Sequence, residues 1–395
     1  MTGSLFYWLR FAGLAFAFLL ICSNSWSESH LAAWTWTNGS AGKFNILIGL
    51  EQTADSGCVA VGEEKEQNIG TGFAVRLSSR GDTAWVKRFP DSFFLCVAAT
   101  GDSGFVLAGI SNPTQDSRSA CLARIDKWGD TLWSRTWRLG YDTNIGDLLM
   151  TPDGGFFAVG HVRYMVNDST DALLLRFDAH GDTLWSRTFG GRDEDSFSRI
   201  QLSKDGGMFL YGVTRSVGSG LQDFYVVRAD SNGGTLWERA FGTEFEETNG
   251  DAIADGDGGL VICGYIDQSE YPAPGIVTKV DTKAIVIRVN SQGNEVWRQT
   301  YGGKRDEDWT CRNIVSAPFG YIVNVGIKGI PGLMAMNLDG DSLWVKSRII
   351  DRVAPGFRMI RARDGGLVLC GAMPTKASAD WEMFIAKVAP TDLVK

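Results

Sequence analysis

Arg176-Phe177-Asp178-Ala179-His180-Gly181-Asp182-Thr183-Leu184-Trp185 closes one strand-like run, turns, and opens another with a tryptophan. The ending recurs at Gly81 to Trp85, Gly129 to Trp133, Gly233 to Trp237, Gly293 to Trp297 and Gly340 to Trp344. Trp34 joins the series because Trp34, Thr37 and Gly39 match Trp185, Thr188 and Gly190. A period of this length marks a repeat fold and has to be read before local structure. About 30 residues before each later tryptophan stands a second mark: Asp55-Ser56-Gly57, Asp102-Ser103-Gly104, Asp153-Gly154-Gly155, Asp205-Gly206-Gly207 and Asp257-Gly258-Gly259, with Asp364-Gly365-Gly366 near the end. These are hairpin turns with residues at positive φ. The sixth unit has Pro318-Phe319-Gly320 instead and one more residue in the strand that follows, where a bulge is expected.

Between the marks lie short apolar runs such as Phe156-Phe157-Ala158-Val159-Gly160 and Ala172-Leu173-Leu174-Leu175, too short for helices and apolar throughout. They read as strands buried on both faces. Four antiparallel strands per unit, repeated radially, make an all-β protein, a seven-bladed β-propeller. The N-terminus supplies only a fourth strand around Trp34, and the C-terminus supplies three strands ending at Phe384 to Lys387. The two ends are expected to complete one blade, which removes the open edges of an unclosed ring.

The chain has 395 residues, 44% hydrophobic and 21% charged, with a net charge of −8. That sign argues against holding a nucleic-acid backbone. Arg10, the apolar run Phe11 to Cys22 and Ser25-Trp26-Ser27 read as a secretory signal over residues 1–27, followed by the propeller over 28–395. Twelve apolar residues fall short of the ~20 that span a bilayer. The expected location is secreted or periplasmic, with no membrane span after cleavage, as a monomer. Cys58, Cys96, Cys121, Cys263, Cys311 and Cys370 are even in number, but each lies in an apolar run and reads as a small buried hydrophobe.

The pattern Arg176-x-Asp178-x-x-Gly181-x-x-x-Trp185 resembles the tryptophan-docking motif of quinoprotein-like propellers, and resembles more closely the repeat propellers of secreted bacterial proteins. The resemblance covers the whole chain after the signal. It implies that Trp34, Trp85, Trp133, Trp185, Trp237, Trp297 and Trp344 pack on neighbouring blades. The catalytic features of quinone-dependent members, eight blades and a vicinal cysteine pair, do not carry over, and shared blades are not shared function.

Arg76, Arg124, Arg176, Arg228 and Arg288 recur five residues before the turn glycine and read as structural, paired with the polar residue two positions on or stacked on an outer tryptophan. Asp255-Gly256-Asp257-Gly258 lacks the downstream glutamate of a calcium loop and reads as a turn. His30, His161 and His180 are the only histidines, and no hydrolase or nucleotide motif occurs, so no catalytic residue, metal ligand or cofactor is assigned. Asp142, Asp195, Glu247 and Asp308 stand where the innermost strands begin, either as an acidic rim or as a repeated strand cap. The segment from Tyr265 to Lys283 is the longest variable loop and carries Tyr271, Pro272 and Pro274. The expected function is a non-catalytic binding or scaffold propeller that offers Asp195, Asp308, Trp309, Tyr265 and Tyr271 to a protein or glycan partner. Two alternatives remain open: a carbohydrate lyase or hydrolase working through channel carboxylates, and a cell-envelope assembly component.

Overall fold

The computed structural model describes residues 32–39, 42–66, 69–111, 118–165, 169–269, 280–302, 308–347, 349–350, 358–375 and 380–393. The proposed signal segment and Tyr271, Pro272 and Pro274 lie outside them. Twenty-eight strands follow one another among these residues, numbered β1 to β28 in chain order.

The third repeat shows why each unit folds as it does. In β10 (Asp142–Met150), β11 (Phe156–Arg163), β12 (Thr170–Phe177) and β13 (Thr183–Phe189), each strand pairs antiparallel with the next. The β10–β11 hairpin turns at Gly154, whose φ is 82°, and the β12–β13 hairpin at Gly181, whose φ is 79°. Phe156 to Gly160 and Ala172 to Phe177 are buried on both faces, while β13 is largely exposed. The inner strands therefore drive burial, and β13 forms the outer margin.

Five such four-stranded sheets are present, together with one eight-stranded sheet in the order β26-β27-β28-β2-β3-β4-β5. Within that larger sheet β1 (Ala32–Asn38) pairs antiparallel with β28 (Trp381–Val388), from Ala32 opposite Val388 to Asn38 opposite Met383. The first strand thus lies beside the last three, as the repeat count requires. β28 meets β2 (Lys43–Gln52) through a single parallel bridge, Phe44 to Trp381.

Buried side chains of each unit interleave with those of the next. Phe157 and Leu174 pack with Leu210 and Val227, Tyr211 and Val226 with Ile262 and Ile285, and Cys263 and Val286 with Val323 and Met334. Ile322 and Leu333 then pack with Leu369 and Phe384, Ala60 and Val75 with Cys370 and Ile385, and Val61 and Ala74 with Leu107 and Cys121. Val106 and Leu122 complete the series with Ala158 and Leu175. At about 1.5–3 kcal/mol for each large aliphatic or aromatic side chain buried, these faces are the main favourable term in the fold.

The tryptophans lock neighbouring units from outside. A Cβ added to Gly181 would lie 2.6 Å from the Trp133 ring, and one added to Gly129 would lie 3.1 Å from that of Trp85. Trp85 Nε1 donates to the carbonyl of Lys127 at 3.0 Å, and Trp237 Nε1 to that of Ser291 at 2.9 Å. The turn glycine serves twice: it supplies the positive φ and leaves room for the ring of the preceding unit.

Two expectations are corrected. The repeated arginine pairs neither with the residue two positions on nor with an outer tryptophan. Arg176 Nη2 donates to Asp153 at 2.6 Å, and Arg76 donates to Asp55 at 2.8 Å. Arg124 and Arg228 reach Asp102 and Asp205 likewise. Antiparallel register sets Phe157 opposite Arg176, so the guanidinium lies over the Phe157 ring and beside the hairpin of its own unit. Asp178 instead accepts from the amides of His180 and Asp182 in its own turn. In the sixth unit Ala335 and Pro318 stand at the arginine and aspartate positions, so both partners are lost together. The bulge expected in β23 (Gly320–Ile327) is also absent, because β23 pairs without a register shift with β24 (Ile330–Met336). A two-residue hairpin, Pro318-Phe319 between the paired Ala317 and Gly320, absorbs the difference in length.

Candidate functional site

The first strands of six units share a defect. Register skips one residue between Leu47 and Gly49, Phe94 and Cys96, and Ile145 and Asp147. It skips again between Phe197 and Arg199, Asn249 and Asp251, and Cys311 and Asn313. A bulge re-aims the residue that follows it. That residue is Gly49, Cys96, Asp147, Arg199, Asp251 or Asn313, and Arg358 in β26 (Arg358–Arg361) stands the same distance before its turn glycine.

These side chains meet across units that are not neighbours, which only residues near a common axis can do. Arg358 Nη1 donates to Asp251 Oδ2 at 3.0 Å from two units away. Arg199 Nε donates to the other oxygen of Asp251, and Asn313 donates to Oδ2 while accepting from the Met359 amide at 2.9 Å. Burial pushes the Asp251 carboxyl up, but Arg358 and Arg199 outweigh it and hold the group below its ordinary range. Asp147 is raised by burial, against the pull of Arg199 and Arg358. Glu51, two residues past Gly49, is pushed up to about 7 by burial, with Arg358 opposing and Asp147 adding to the shift. The first strands of five units thus share a charged belt, which sequence reading missed. The available signal was a position, seven residues before the positive-φ turn residue, where Asp147, Arg199, Asp251, Asn313 and Arg358 stand in place of the Gly49 and Cys96 of the first two units.

At the variable-loop end the acidic positions are latches and not a rim. Asp142 is buried and takes a two-pronged interaction from Arg118, whose Nε lies 3.1 and 3.2 Å from its oxygens. Asp195 is 1% exposed, and its Oδ2 accepts from the Gly191 amide at 2.8 Å and Ser216 Oγ at 2.6 Å. Glu247 is fully buried and accepts from the Thr243 amide at 3.0 Å and its hydroxyl at 2.6 Å. The strand-cap reading therefore describes Asp142, Asp195 and Glu247, and Asp195 is not presented as a contact. Asp223 Oδ1 and Glu247 Oε2 lack hydrogen-bond partners, and a Cβ on Gly242 would collide with both. Burial, and secondarily Asp223, raises Glu247 to about 7 against its Thr243 bonds.

Asp308 is half-buried, and its carbonyl accepts from the Lys328 amide at 2.9 Å. Beside it Trp309 begins β22 (Trp309–Ala317), half-buried, with Nε1 buried and unpartnered. Tyr265, at the end of β19 (Leu260–Asp267), lies under the Arg312 guanidinium, 5.0 Å from its ring centre. Arg312 Nη2 also approaches the Tyr265 hydroxyl at 3.4 Å. Tyr265 and Arg312 thus meet where the fifth unit faces the sixth, and Asp308 and Trp309 stand at the start of the strand that carries Arg312. The calcium-like sequence binds its own unit instead, since Arg288 holds both Asp255 and Asp257.

No family model matches the chain. A segment covering 43% of it is 28% identical, over 204 residues, to the regulatory protein FlaEY of Caulobacter vibrioides. The match spans 21% of that relative, so the chain corresponds to about a fifth of its length. Among solved structures, polysaccharide lyase Uly1 superposes with a TM-score of 0.56 at 10% identity over 93% of this chain and 94% of that one. Puromycin hydrolase gives a TM-score of 0.54 at 15% identity over 85% of this chain and 51% of that one. At these identities the likeness establishes the β-propeller fold alone.

Proposed function

We propose that the chain is an exported, non-catalytic binding propeller of seven blades, closed by β1 beside β28, whose variable-loop end holds a protein or glycan partner. The closed ring is supported by the cyclic series of interleaved clusters, which returns from the last unit to the first. One observation carries the function: the buried carboxylates at the starts of the innermost strands tie the loops of that end to the scaffold. Loops held this way form a preorganised surface, which lowers the ordering cost of binding. The contact patch is Tyr265, Arg312, Trp309 and Asp308, with the adjoining loop and Tyr271. Aromatic rings beside a guanidinium supply stacking area and directional donors at low entropic cost.

The test compares the full-length mature protein with Tyr265→Ala and Arg312→Ala variants for binding to a glycan panel and to proteins of the native secreted fraction. Loss of a saturable partner in both variants, with melting unchanged, is the expected result. Retained binding in both removes the patch. Glu51 and Asp147 favour a second reading, an enzyme that uses axial carboxyls, because two raised carboxyls next to arginines are a usual acid–base arrangement. Substrate turnover abolished by Glu51→Gln would move the assignment there.

A further inference from the structure

A recess of about 210 Å³ lies on the axis, lined by Gln201, Asp251, Ile253, Val315, Arg358 and Arg361 among others. These residues belong to the charged belt and to the positions next on toward the Asp-Gly-Gly turns, the end opposite the variable loops. Its polar groups are incompletely used. The side chains of Gln201 and Arg361 make no hydrogen bond or ion pair with any described residue, and Arg358 spends one nitrogen on Asp251. Arg361 is half-buried and loses hydration, which lowers its basicity, with the charge of Asp364 opposing that shift. Asp364 itself is paired with Lys387 at 2.6 Å.

The charges divide unevenly within the recess: Arg358 is offset by Asp251, Asp147 and Glu51, whereas the carboxylate acting on Arg361 is that of Asp364, already paired with Lys387. A desolvated guanidinium without a partner is stabilised by a planar anion that accepts two parallel hydrogen bonds. The remaining wall is aliphatic, from Ile253, Val315 and Ile360. The volume falls below the ~300 Å³ at which drug-sized pockets begin, so the occupant is small.

We propose that this recess is a binding site for a small organic monocarboxylate, its carboxylate held by Arg361 and Arg358 with Gln201 donating, and its short apolar tail against Ile253, Val315 and Ile360. The site is independent of the loop-end patch, and its occupancy does not require a partner there.

Titration of the full-length mature protein with benzoate and isobutyrate, followed by calorimetry and by chemical-shift changes, tests this directly. Benzamide serves as the neutral isostere. Saturable binding of the acids is expected, weakened about tenfold or more for benzamide and for Arg361→Gln, as loss of a charge-assisted pair implies. Gln201→Glu places a repelling charge at a half-buried position without changing side-chain size, and is expected to abolish binding even if Arg361→Gln does not fold. Equal binding of benzamide, unchanged binding by Gln201→Glu, or no binding of either acid at tens of millimolar would overturn the proposal. The loop-end variants Tyr265→Ala and Arg312→Ala are expected to bind benzoate normally, so the two sites fail separately.

Discussion

Several single residues sit in conformations or protonation states that the fold imposes on them. Ser56 and Ser103 occupy the hairpin position filled by glycine in other units, with φ of 65° and 68°. A side chain there costs about 1–2 kcal/mol, partly offset by the greater unfolded-state freedom of glycine. Ser56→Gly and Ser103→Gly are each expected to raise the free energy of unfolding by roughly 0.5 kcal/mol, read as a higher midpoint in chemical denaturation. Glu247 makes a pH-dependent contribution. Its folded-state value of about 7 exceeds the ordinary 4.5, so the native state binds the additional proton between those values. Stability therefore falls as pH rises through that window and stays lower above it. Glu51 and Glu63, each raised to about 7 by burial, act in the same direction. Glu247→Gln removes the ionisation and supplies a donor for Asp223 Oδ1, so it is expected to raise the melting temperature at pH 8 and flatten the slope between pH 5 and 8. A slope unchanged in that variant would show that Glu247 does not titrate there.

At the scale of elements, the arginine-to-hairpin pair stabilises the second and third strands of a unit from one end. Arg228 is almost fully buried, lies 4.7 Å over Phe209, and donates to the Met208 carbonyl at 3.0 Å as well as to Asp205. Replacing it with methionine keeps the apolar stem but leaves carbonyls short of donors, a loss of about 2 kcal/mol by chemical unfolding. Asp205→Asn, on an exposed partner, is expected to cost under ~1 kcal/mol. Much of this element was legible beforehand: the recurring arginine, the hairpin aspartate and their joint absence in the sixth unit all stand in the chain. The partner was misassigned because proximity along the chain favoured the residue two positions away, while cross-strand register brings together residues about 22 apart.

For the whole molecule, the pairing of β1 with β28 and the chemistry of the cysteines have measurable consequences. Removing residues 32–39 exposes the edge of β28 and takes the Trp34 ring from Gly81, where an added Cβ would lie 2.9 Å from it. The expected result is a fall of roughly 10 °C or more in the melting transition of the entire protein. A loss of only a few degrees, or protection from amide exchange retained in β26 to β28, would show that the first strand is dispensable. The six described cysteines are buried and unpaired, and burial pushes Cys58 and Cys121 up to about 12. All six are expected to react with a thiol reagent in denaturant without reductant and to resist it when folded.

The all-β class, the four-strand unit and the pairing of the first strand with the last follow from the chain alone. Turn glycines, apolar runs and a repeated tryptophan are local signals, and seven copies of them agree. The belt of Asp147, Arg199, Asp251, Asn313 and Arg358 was decided only by tertiary structure. Its members come from separate units, as with Arg199 and Asp251, 52 residues apart, and Asp251 and Asn313, 62 apart, and all but Arg358 follow a bulge that turns one residue of a first strand toward the axis. The role of the buried acids was also decided there. For Asp195 and Glu247 the sequence left a rim and a cap both open, with the cap preferred, until the folded loops set the Ser216 hydroxyl and the Thr243 amide against their carboxylates, because partner choice for a polar group depends on what lies nearest in space.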